Sequence, residues 1–221
     1  MIKVTKLTKV YKSKRKDECI ALNNLSFSLG DHGFVFVIGK SGSGKTTLLS
    51  ILGGLDNLTN GDVDVYGNEF YKFKEKDFVN YRNSIIGYIF QDFHLIDELT
   101  VYENIKISLD LQNDWDIKKI YAILEKVGLK GYANRYPREL SGGEKQRVAI
   151  ARALIKDPKI IFADEPTGNL DSKTTEQILS ILKELSKDRL VIIVSHNLQD
   201  ARNYADRIIE LSNGKIIQDL A

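Results

Sequence analysis

The sequence is poor in the features that mark secreted and membrane-spanning proteins. Its 221 residues include one cysteine, Cys19, so no internal disulfide can form. The longest unbroken apolar stretches, residues 34–38 and 190–194, hold five residues each, whereas a membrane helix needs about twenty. The first six residues carry no apolar signal core, so we expect no export. With no internal repeat and no Pro- or Gly-rich linker, we expect a single domain over residues 1–221.

Charge of one sign is also scarce. Lys and Arg number 32 against 30 Asp and Glu, a formal net charge of +2, so the chain as a whole is not a polyanion binder and we expect no nucleic-acid partner. We interpret the most polar run, residues 12–18, as a solvated surface loop rather than a nucleic-acid patch. The remaining composition, 43% hydrophobic and 28% charged, is ordinary for a globular protein of the cytoplasm.

Strand patterns and helix patterns alternate along the chain. Buried strands are predicted at residues 34–38, 85–90, 159–163 and 190–194, with a closing hairpin turned by Asn213-Gly214. The helix after the first of these strands is expected to bury Leu48, Leu49, Ile51, Leu52 and Leu55 on one face. This alternation predicts an α/β fold with a mainly parallel sheet covered on both faces. Residues 91–156 have helical patterns instead, and we predict an inserted helical subdomain there, within a core of residues 1–90 and 157–221.

A glycine-rich segment stands where the first buried strand ends and a helix begins. It matches the pattern G-x-x-x-x-G-K-[ST] with Gly39, Lys40, Ser41, Gly42, Ser43, Gly44, Lys45 and Thr46. Glycines let the backbone curl so that successive N–H groups point at phosphate oxygens, and the helix adds the positive end of its dipole. Lys45 can then contact the β- and γ-phosphates, while the Thr46 hydroxyl suits magnesium. A simple Gly/Ser-rich turn does not explain why Lys45-Thr46 begins the helix, so we predict a nucleotide phosphate site.

Two adjacent acids, Asp164 and Glu165, end the strand predicted at 159–163. Carboxylates are rarely buried without a partner, and ligands gather at the carboxyl ends of parallel strands. Asp164 can reach magnesium directly or through water, and Glu165 can polarise the attacking water. The alternative is that the two acids cap the next helix through the turn at 166–168. The nearby phosphate loop favours the catalytic interpretation.

The segment from Leu140 carries a second N-terminal helix signal. Its residues Ser141, Gly142, Gly143 and Glu144 match the capping box S-x-x-E, which is a sufficient structural reason for them. A helix start with two glycines also presents bare N–H groups, which is a second anion site. One ATP does not need two such cradles from the same chain. The second anion site therefore indicates a head-to-tail dimer, in which each ATP lies between the phosphate loop of one chain and the Ser141 segment of the other.

These motifs, taken in order with Ser195-His196, resemble those of an ABC nucleotide-binding domain over essentially the whole chain. The resemblance implies a P-loop NTPase fold with an N-terminal antiparallel β subdomain. It implies hydrolysis of ATP with Mg²⁺ as cofactor, and a homodimer that closes across two ATP molecules. One departure is Lys145, where many members of the family carry glutamine. Lysine at this position leaves the anion site at Ser141 to Glu144 intact. It changes a residue on the face that meets the second copy of the dimer.

The resemblance also assigns roles to residues outside those motifs. Gln91 matches the Q-loop glutamine, a catalytic residue and metal ligand, and His196 matches the switch histidine at the γ-phosphate. Tyr11 matches the aromatic residue that stacks on adenine, Asp171 belongs to the D-loop, and Thr47 adds a nucleotide contact. Taken singly, each of three residues has an ordinary alternative: Gln91 a polar loop residue, Tyr11 a core aromatic, His196 a helix-start residue.

Finer details resemble the macrolide-exporter, lipoprotein-release and bacitracin-resistance class. That class implies an integral membrane permease partner, as a separate subunit or a fused domain, and a cytoplasmic location on the inner face of the cell membrane through that permease. Cell-division ABC ATPases share much of the pattern. The motifs would also fit a soluble ABC protein that acts on ribosomes or DNA, or a module that binds ATP without hydrolysing it, although Glu165 and His196 speak against the latter. We expect residues 92–99 to form the permease groove, with Leu95 as an exposed apolar position. The alternative is that Phe93, Leu95 and Leu99 belong to the core of the helical subdomain.

Overall fold

A computed structural model of the protein describes residues 1–12, 18–112 and 114–221; the interior of the predicted surface loop, residues 13–17, lies outside them. The strands are β1 (Ile2–Lys12), β2 (Glu18–Leu29), β3 (Gly33–Ile38), β4 (Asn60–Val65), β5 (Asn68–Glu69), β6 (Ile86–Ile89), β7 (Ile160–Asp164), β8 (Leu190–Ser195), β9 (Arg207–Ser212) and β10 (Lys215–Leu220). The α-helices are α1 (Lys45–Leu52), α2 (Glu75–Ser84), α3 (Val101–Asp110), α4 (Lys118–Lys126), α5 (Gly142–Leu154), α6 (Ser172–Leu185) and α7 (Leu198–Tyr204).

The described strands form two sheets. An antiparallel sheet has the order β2-β1-β4-β5, and a larger sheet has the order β10-β9-β3-β8-β7-β6. Within the larger sheet, β9, β3, β8, β7 and β6 run parallel to their neighbours, and β10 closes the edge as the antiparallel partner of β9. The predicted α/β fold, with a mainly parallel sheet and an N-terminal antiparallel subdomain, is confirmed.

Strand β3 is apolar at every position from residue 34 to residue 38 because both of its faces are buried. Phe34, Phe36 and Ile38 pack into one hydrophobic cluster, and Val35 and Val37 pack into another. Because successive side chains of a strand point to opposite faces, a strand covered on both faces must be apolar at every position. The first cluster includes α3, α4, α5 and α6, and the second includes α1 and the antiparallel sheet.

The helix that follows the phosphate loop is shorter than the sequence predicts. It ends at Leu52, with Gly53 as its C-cap and Gly54 in the left-handed region at φ 66°. Glycine reaches this conformation without a Cβ clash and so ends helices. The prediction for Leu55 is therefore wrong, because this residue lies beyond the helix and is 48% exposed.

The predicted helical block 91–156 contains α3, α4 and α5. Helix α2 has no counterpart among the predicted elements, because only Tyr81 of its ten residues is buried and no apolar stripe marks it. In the ranges that the structure describes, no helix combines the length and the apolar character needed to cross a membrane.

Candidate functional site

The register of the parallel strands brings the sequence motifs to one edge of the sheet. Ile38 at the end of β3 pairs with Ser195 at the end of β8, and Asp164 at the end of β7 pairs with Val194. The phosphate loop, the two acids and His196 follow these positions directly. Parallel strands end at the same edge, so segments far apart in the sequence meet there.

Steric contacts make glycine necessary at two positions of the phosphate loop. A Cβ on Gly39 would lie 2.3 Å from the Leu211 carbonyl oxygen, and a Cβ on Gly44 would lie 2.5 Å from that of Ala21. Each of these glycines also has a positive φ, 154° at Gly39 and 102° at Gly44. The loop therefore curls tightly against its neighbours, which leaves backbone N–H groups available for an anion.

Lys45 is buried at the first turn of α1. Its Nζ donates hydrogen bonds to the carbonyl oxygens of Gly39, at 2.8 Å, and Lys40, at 3.2 Å. These carbonyls orient the ammonium within the loop. Phosphate oxygens are stronger acceptors for this cation than the neutral carbonyls that it contacts.

The Thr46 hydroxyl lies beside Asp164, donating to Oδ1 at 3.3 Å. Burial raises the pKa of Asp164, and the neighbouring charge of Glu165 adds to that rise, while Thr46 and Lys45 oppose it. A half-buried carboxylate with a raised pKa is stabilised when a cation comes close. One hydroxyl oxygen and one carboxylate oxygen are also the hard donors that Mg²⁺ prefers.

Glu165 is held in an unusual backbone conformation at the end of β7. Its φ is 46°, and its N–H donates to the Val194 carbonyl at 2.9 Å. The carboxylate lies 3.0 Å and 3.1 Å from Nδ1 of His196 and is only 15% exposed. A non-glycine residue in the left-handed region persists when surrounding contacts hold it there. The next helix, α6, is capped by Asp171 instead, so the capping alternative for Asp164 and Glu165 is wrong.

A cavity of about 560 Å³ lies over the phosphate loop. Nine of the predicted site residues line it: Ser41, Gly42, Gly44, Lys45, Thr46, Thr47, Gln91, Glu165 and His196. The Gln91 amide nitrogen is 3.8 Å from the position that a Cβ on Gly168 would occupy. Most of the predicted phosphate and catalytic groups thus line one cavity. Asp164 is not among the lining residues but contacts Thr46, which is, and Gly39, Lys40 and Ser43 complete the loop.

The helix-start segment at residues 141–144 does not line this cavity. Ser141 caps α5 by accepting a hydrogen bond from the Glu144 N–H, and the Glu144 carboxylate accepts from the Ser141 N–H at 2.7 Å. That backbone hydrogen bond holds the pKa of Glu144 below its usual range. A Cβ on Gly143 would lie 2.3 Å from Cγ2 of Thr174, whereas one on Gly142 would meet only Leu170, at 3.4 Å. The predicted capping box is confirmed, and Gly143 lets α5 approach α6.

Tyr11 and Asp171 are not among the residues that line the cavity. Tyr11 is 42% exposed, so the core-aromatic alternative is wrong, and its hydroxyl donates to Asp56 at 2.7 Å. Lys9 lies 4.7 Å from the ring centroid and donates to the other oxygen of Asp56. Asp171 caps α6 through the Thr174 N–H at 3.0 Å. Sequence reasoning missed Lys9 and Asp56, for which no motif exists.

Strand β2 supplies one wall that sequence reasoning also missed. Cys19, Ile20 and Ala21 line the cavity, and the Ala21 carbonyl packs against Gly44 of the phosphate loop. Cys19 is the cross-strand partner of Tyr11. Only the pairing register reveals that neighbourhood, because no local pattern in residues 18–22 points to a ligand.

Comparison with known proteins settles the family. The family model described as ABC transporter matches residues 22–168. The chain belongs to this family. The ABC transporter ATP-binding protein MJ1508 of Methanocaldococcus jannaschii, which is uncharacterized, is 43% identical over 221 residues, covering 99% of this chain and 98% of the relative.

Two further relatives have transport functions in their names. The lipoprotein-releasing system ATP-binding protein LolD of Wigglesworthia glossinidia brevipalpis is 40% identical, with 98% of this chain and 96% of the relative covered. The macrolide export ATP-binding/permease protein MacB of Chlorobaculum tepidum is 38% identical over 99% of this chain. The match spans 34% of MacB. The predicted resemblance to this class is confirmed.

The fold matches a solved cassette. A dimeric structure of the ABC transporter cassette MJ0796 has a TM-score of 0.91 and 38% identity, over 99% of this chain and 97% of that one. A second dimeric structure of MJ0796, in a post-hydrolysis state bound to ADP and Pi, has a TM-score of 0.90 and 37% identity. The chain is an ATP-binding cassette with ATPase activity of the ABC transporter type.

Proposed function

We propose that this cassette drives a membrane permease of the class that contains LolD and MacB, and that two copies close around two ATP molecules. The observation that carries the proposal is the split between two anion sites. Lys45, Thr46 and Glu165 line one cavity, with Asp164 beside Thr46, while the helix start at Ser141 is outside it. A second copy supplies the missing half of each site.

The geometry of the loop supports its role as the triphosphate site. The cavity of about 560 Å³ has the size expected for a small-molecule ligand. Lys45 exchanges the carbonyls of Gly39 and Lys40 for β- and γ-phosphate oxygens, and the loop N–H groups and the α1 dipole add to that attraction. Tyr11, with an exposed ring fixed by Asp56, stacks on the adenine.

Thr46, Asp164 and Gln91 are the residues that we assign to Mg²⁺. Magnesium in nucleotide sites takes few protein ligands and relies on substrate phosphates and water for the others. When bound, it neutralises charge on the phosphate oxygens. Asp164 suits this task because its carboxylate is half-buried beside Thr46. A nearby cation stabilises the charged form of such a carboxylate.

Glu165 and His196 perform the chemical step in this proposal. Glu165 accepts a hydrogen bond from the attacking water and raises its nucleophilicity. His196 contacts the γ-phosphate through Nε2, while its Nδ1 lies against the Glu165 carboxylate at 3.0 Å. That contact fixes the orientation of the imidazole ring and the carboxylate relative to each other. The ring is then positioned for the γ-phosphate and the carboxylate for the attacking water.

The dimer places Ser141 to Glu144 of one copy against the γ-phosphate bound by the other. Ser141 and Gly142 are exposed, so a partner can reach this helix start. The Ser141 N–H and hydroxyl are hydrogen-bonded to the Glu144 carboxylate in the single copy, and they exchange that contact for the phosphate. The dimeric arrangement of MJ0796, a cassette 38% identical to this one, supports this assembly. Asp171 of the D-loop lies beside the same face, because it caps α6 next to the α5 start.

The contact with the permease is assigned to the segment after Gln91. A pocket of about 280 Å³, lined by Tyr88, Phe90 and His94, opens there, and the exposed acids Asp92, Asp97 and Glu98 lie along the segment. Arg152 and Lys156 also line the pocket, so an amphipathic cytoplasmic helix that carries acidic as well as basic residues beside its apolar face fits such a groove. Leu95 is half-buried against the core, so the exposed apolar position of this segment is Ile96, at 43%. The cassette is then peripheral to the inner face of the membrane.

Glu165→Gln tests the proposal directly. The amide keeps the size of the side chain but no longer polarises water, so we expect turnover to fall at least ~100-fold while ATP still binds. Sedimentation with ATP and Mg²⁺ should then show a dimer with two nucleotides, and a monomer without nucleotide. Near-normal steady-state turnover would contradict the role of Glu165. A monomer at saturating ATP would contradict dimerisation of this chain.

A further inference from the structure

The loop that follows Gln91 contains a rare backbone conformation. Phe93 and His94 are consecutive residues with positive φ, 59° and 48°. Side chains with a Cβ seldom adopt the left-handed region, and bulky ones are disfavoured most. Such a pair persists only when surrounding contacts hold it.

Arg152, on α5, supplies those contacts. Its Nη2 donates to the Phe93 carbonyl at 2.7 Å, and its Nη1 donates to the His94 carbonyl. The guanidinium is planar and presents its donors in a fixed fork, so it can hold two successive carbonyls in one orientation. The His94 N–H closes the turn by donating to the Asp92 carbonyl at 2.6 Å.

The clamped turn has a short connection to the nucleotide cavity. Gln91 precedes it by two residues and lines the cavity near Gly168. On the other side, the His94 ring packs edge-on against Phe90 at 4.7 Å. Phe90 in turn stacks on Tyr88 at 4.3 Å. Gln91 therefore lies between an aromatic anchor on β6 and the backbone clamp from α5.

We propose that Arg152 is a positioning residue, which holds the 91–94 loop so that the Gln91 amide faces the nucleotide. The inference rests on the role given to Gln91 in the proposed function. Arg152 and the capping residue Ser141 belong to the same helix, α5, of thirteen residues, which is about 20 Å long. The helix thus connects the anion site offered to the partner copy with the loop that carries Gln91.

Arg152→Lys is the first test, with ATPase turnover of the full chain as the readout. Lysine keeps the charge and most of the length but cannot hold two carbonyls with one fork. We expect kcat to fall about tenfold and KM for ATP to stay within about twofold, because the Lys45 loop is unchanged. Arg138→Lys is the matched control: this exposed arginine of the helical block contacts neither carbonyl, and its kcat should not change.

Second-site substitutions distinguish positioning from general support of α5. Glycine adopts a positive φ without a Cβ clash, so His94→Gly in the Arg152→Lys background should restore kcat to within about threefold of the His94→Gly variant alone. His94→Ala removes the same imidazole but keeps the Cβ, and it should not rescue. Unchanged kcat in Arg152→Lys, or equal rescue by alanine and glycine, would overturn the proposal.

Gln91→Ala in the same assay separates this inference from the proposed function. If Gln91→Ala loses turnover and Arg152→Lys does not, Gln91 keeps its role and the clamp is wrong. If Gln91→Ala turns over normally, the role of Gln91 itself is wrong, and the positioning role of Arg152 fails with it. We expect both Gln91→Ala and Arg152→Lys to lose kcat. His94→Gly should restore kcat only in the Arg152→Lys background.

Discussion

Nδ1 of His196 lies 3.0 Å from a carboxylate oxygen of Glu165, although 31 residues separate them in the chain. The contact joins the end of β8 to the end of β7, neighbouring strands of the parallel sheet. It leaves Nε2 of the imidazole available for a phosphate oxygen. The geometry ties the residue proposed to polarise water to the residue proposed to sense the γ-phosphate.

His196→Ala should therefore reduce kcat roughly 100-fold, in the range typical of a lost acid–base or phosphate-orienting group. ATP binding should change little, because Lys45 and the loop N–H groups remain. The matched control is His32→Ala, since His32 is exposed beside Asp31 at the opposite end of β3. Steady-state phosphate release measures the effect, and equal activity of the two variants would rule out a catalytic role for His196.

Asp164→Asn should stabilise the ligand-free protein at pH 7. Burial raises the pKa of Asp164 above its ordinary value of 3.8, so the folded state holds this proton more tightly than the unfolded state. The stability that this carboxyl contributes is present below pH 3.8 and is lost as the pH rises through the folded-state pKa. The asparagine variant avoids that loss, and each kcal/mol gained raises the Tm by roughly 2–4 °C.

The same variant should lose the part of the thermal stabilisation by ATP that depends on Mg²⁺, because the Asp164 contact with the metal is weakened while Lys45 and the loop N–H groups remain. Thermal unfolding with and without ligand, from about pH 4 to pH 8, measures the two effects. Asp188→Asn, at an exposed site, is the control and should leave both unchanged. A lower Tm for ligand-free Asp164→Asn would contradict the prediction.

Tyr11→Ala should raise the Kd for ATP about tenfold, since stacking of a base on an aromatic ring contributes about 1–3 kcal/mol. Tyr11→Phe keeps the ring and loses only the hydrogen bond to Asp56, so its Kd should stay within about threefold of wild type. Calorimetric titration gives both constants. If phenylalanine weakens binding as much as alanine, the hydroxyl matters and stacking does not.

Gly143→Ala should destabilise the protein by about 1–3 kcal/mol, the usual result of overpacking. The added Cβ would lie 2.3 Å from Cγ2 of Thr174, whose hydroxyl already donates to Asp171. Gly142→Ala is the control: its nearest contact is at 3.4 Å, and we expect a change within about 0.5 kcal/mol. Urea unfolding compares the two midpoints, which should differ clearly if α5 and α6 pack as described.

Ile96→Glu should leave basal ATPase activity unchanged and weaken co-purification with the permease encoded beside or fused to this cassette. Ile96 is 43% exposed, so folding tolerates a charge there, while a groove for an apolar helix face does not. Val79→Glu, at a similarly exposed position on α2, is the control and should co-purify normally. Equal recovery of the permease with the two variants would place the contact elsewhere.

Much of this site was predictable because its signals are local. The phosphate loop, the Ser141–Glu144 capping box and the acids after an apolar strand are each recognisable within about eight residues, as sequence motifs are. The alternation of buried strands and helices predicted the parallel sheet, and a parallel sheet collects strand ends at one edge. Local backbone chemistry and periodicity depend on adjacent residues, so the sequence alone determined the fold class and the position of the phosphate loop.

Other features depend on contacts between distant segments, and only the tertiary structure decided them. Asp56 meets Tyr11 across 45 residues, and Arg152 meets Phe93 across 59. The exposure of Leu55 depends on where α1 ends, and the partial burial of Leu95 depends on the core cluster that packs against it. Strand register and helix packing place these side chains together through many weak contacts spread over the whole core, and no short segment of sequence encodes the sum of those contacts.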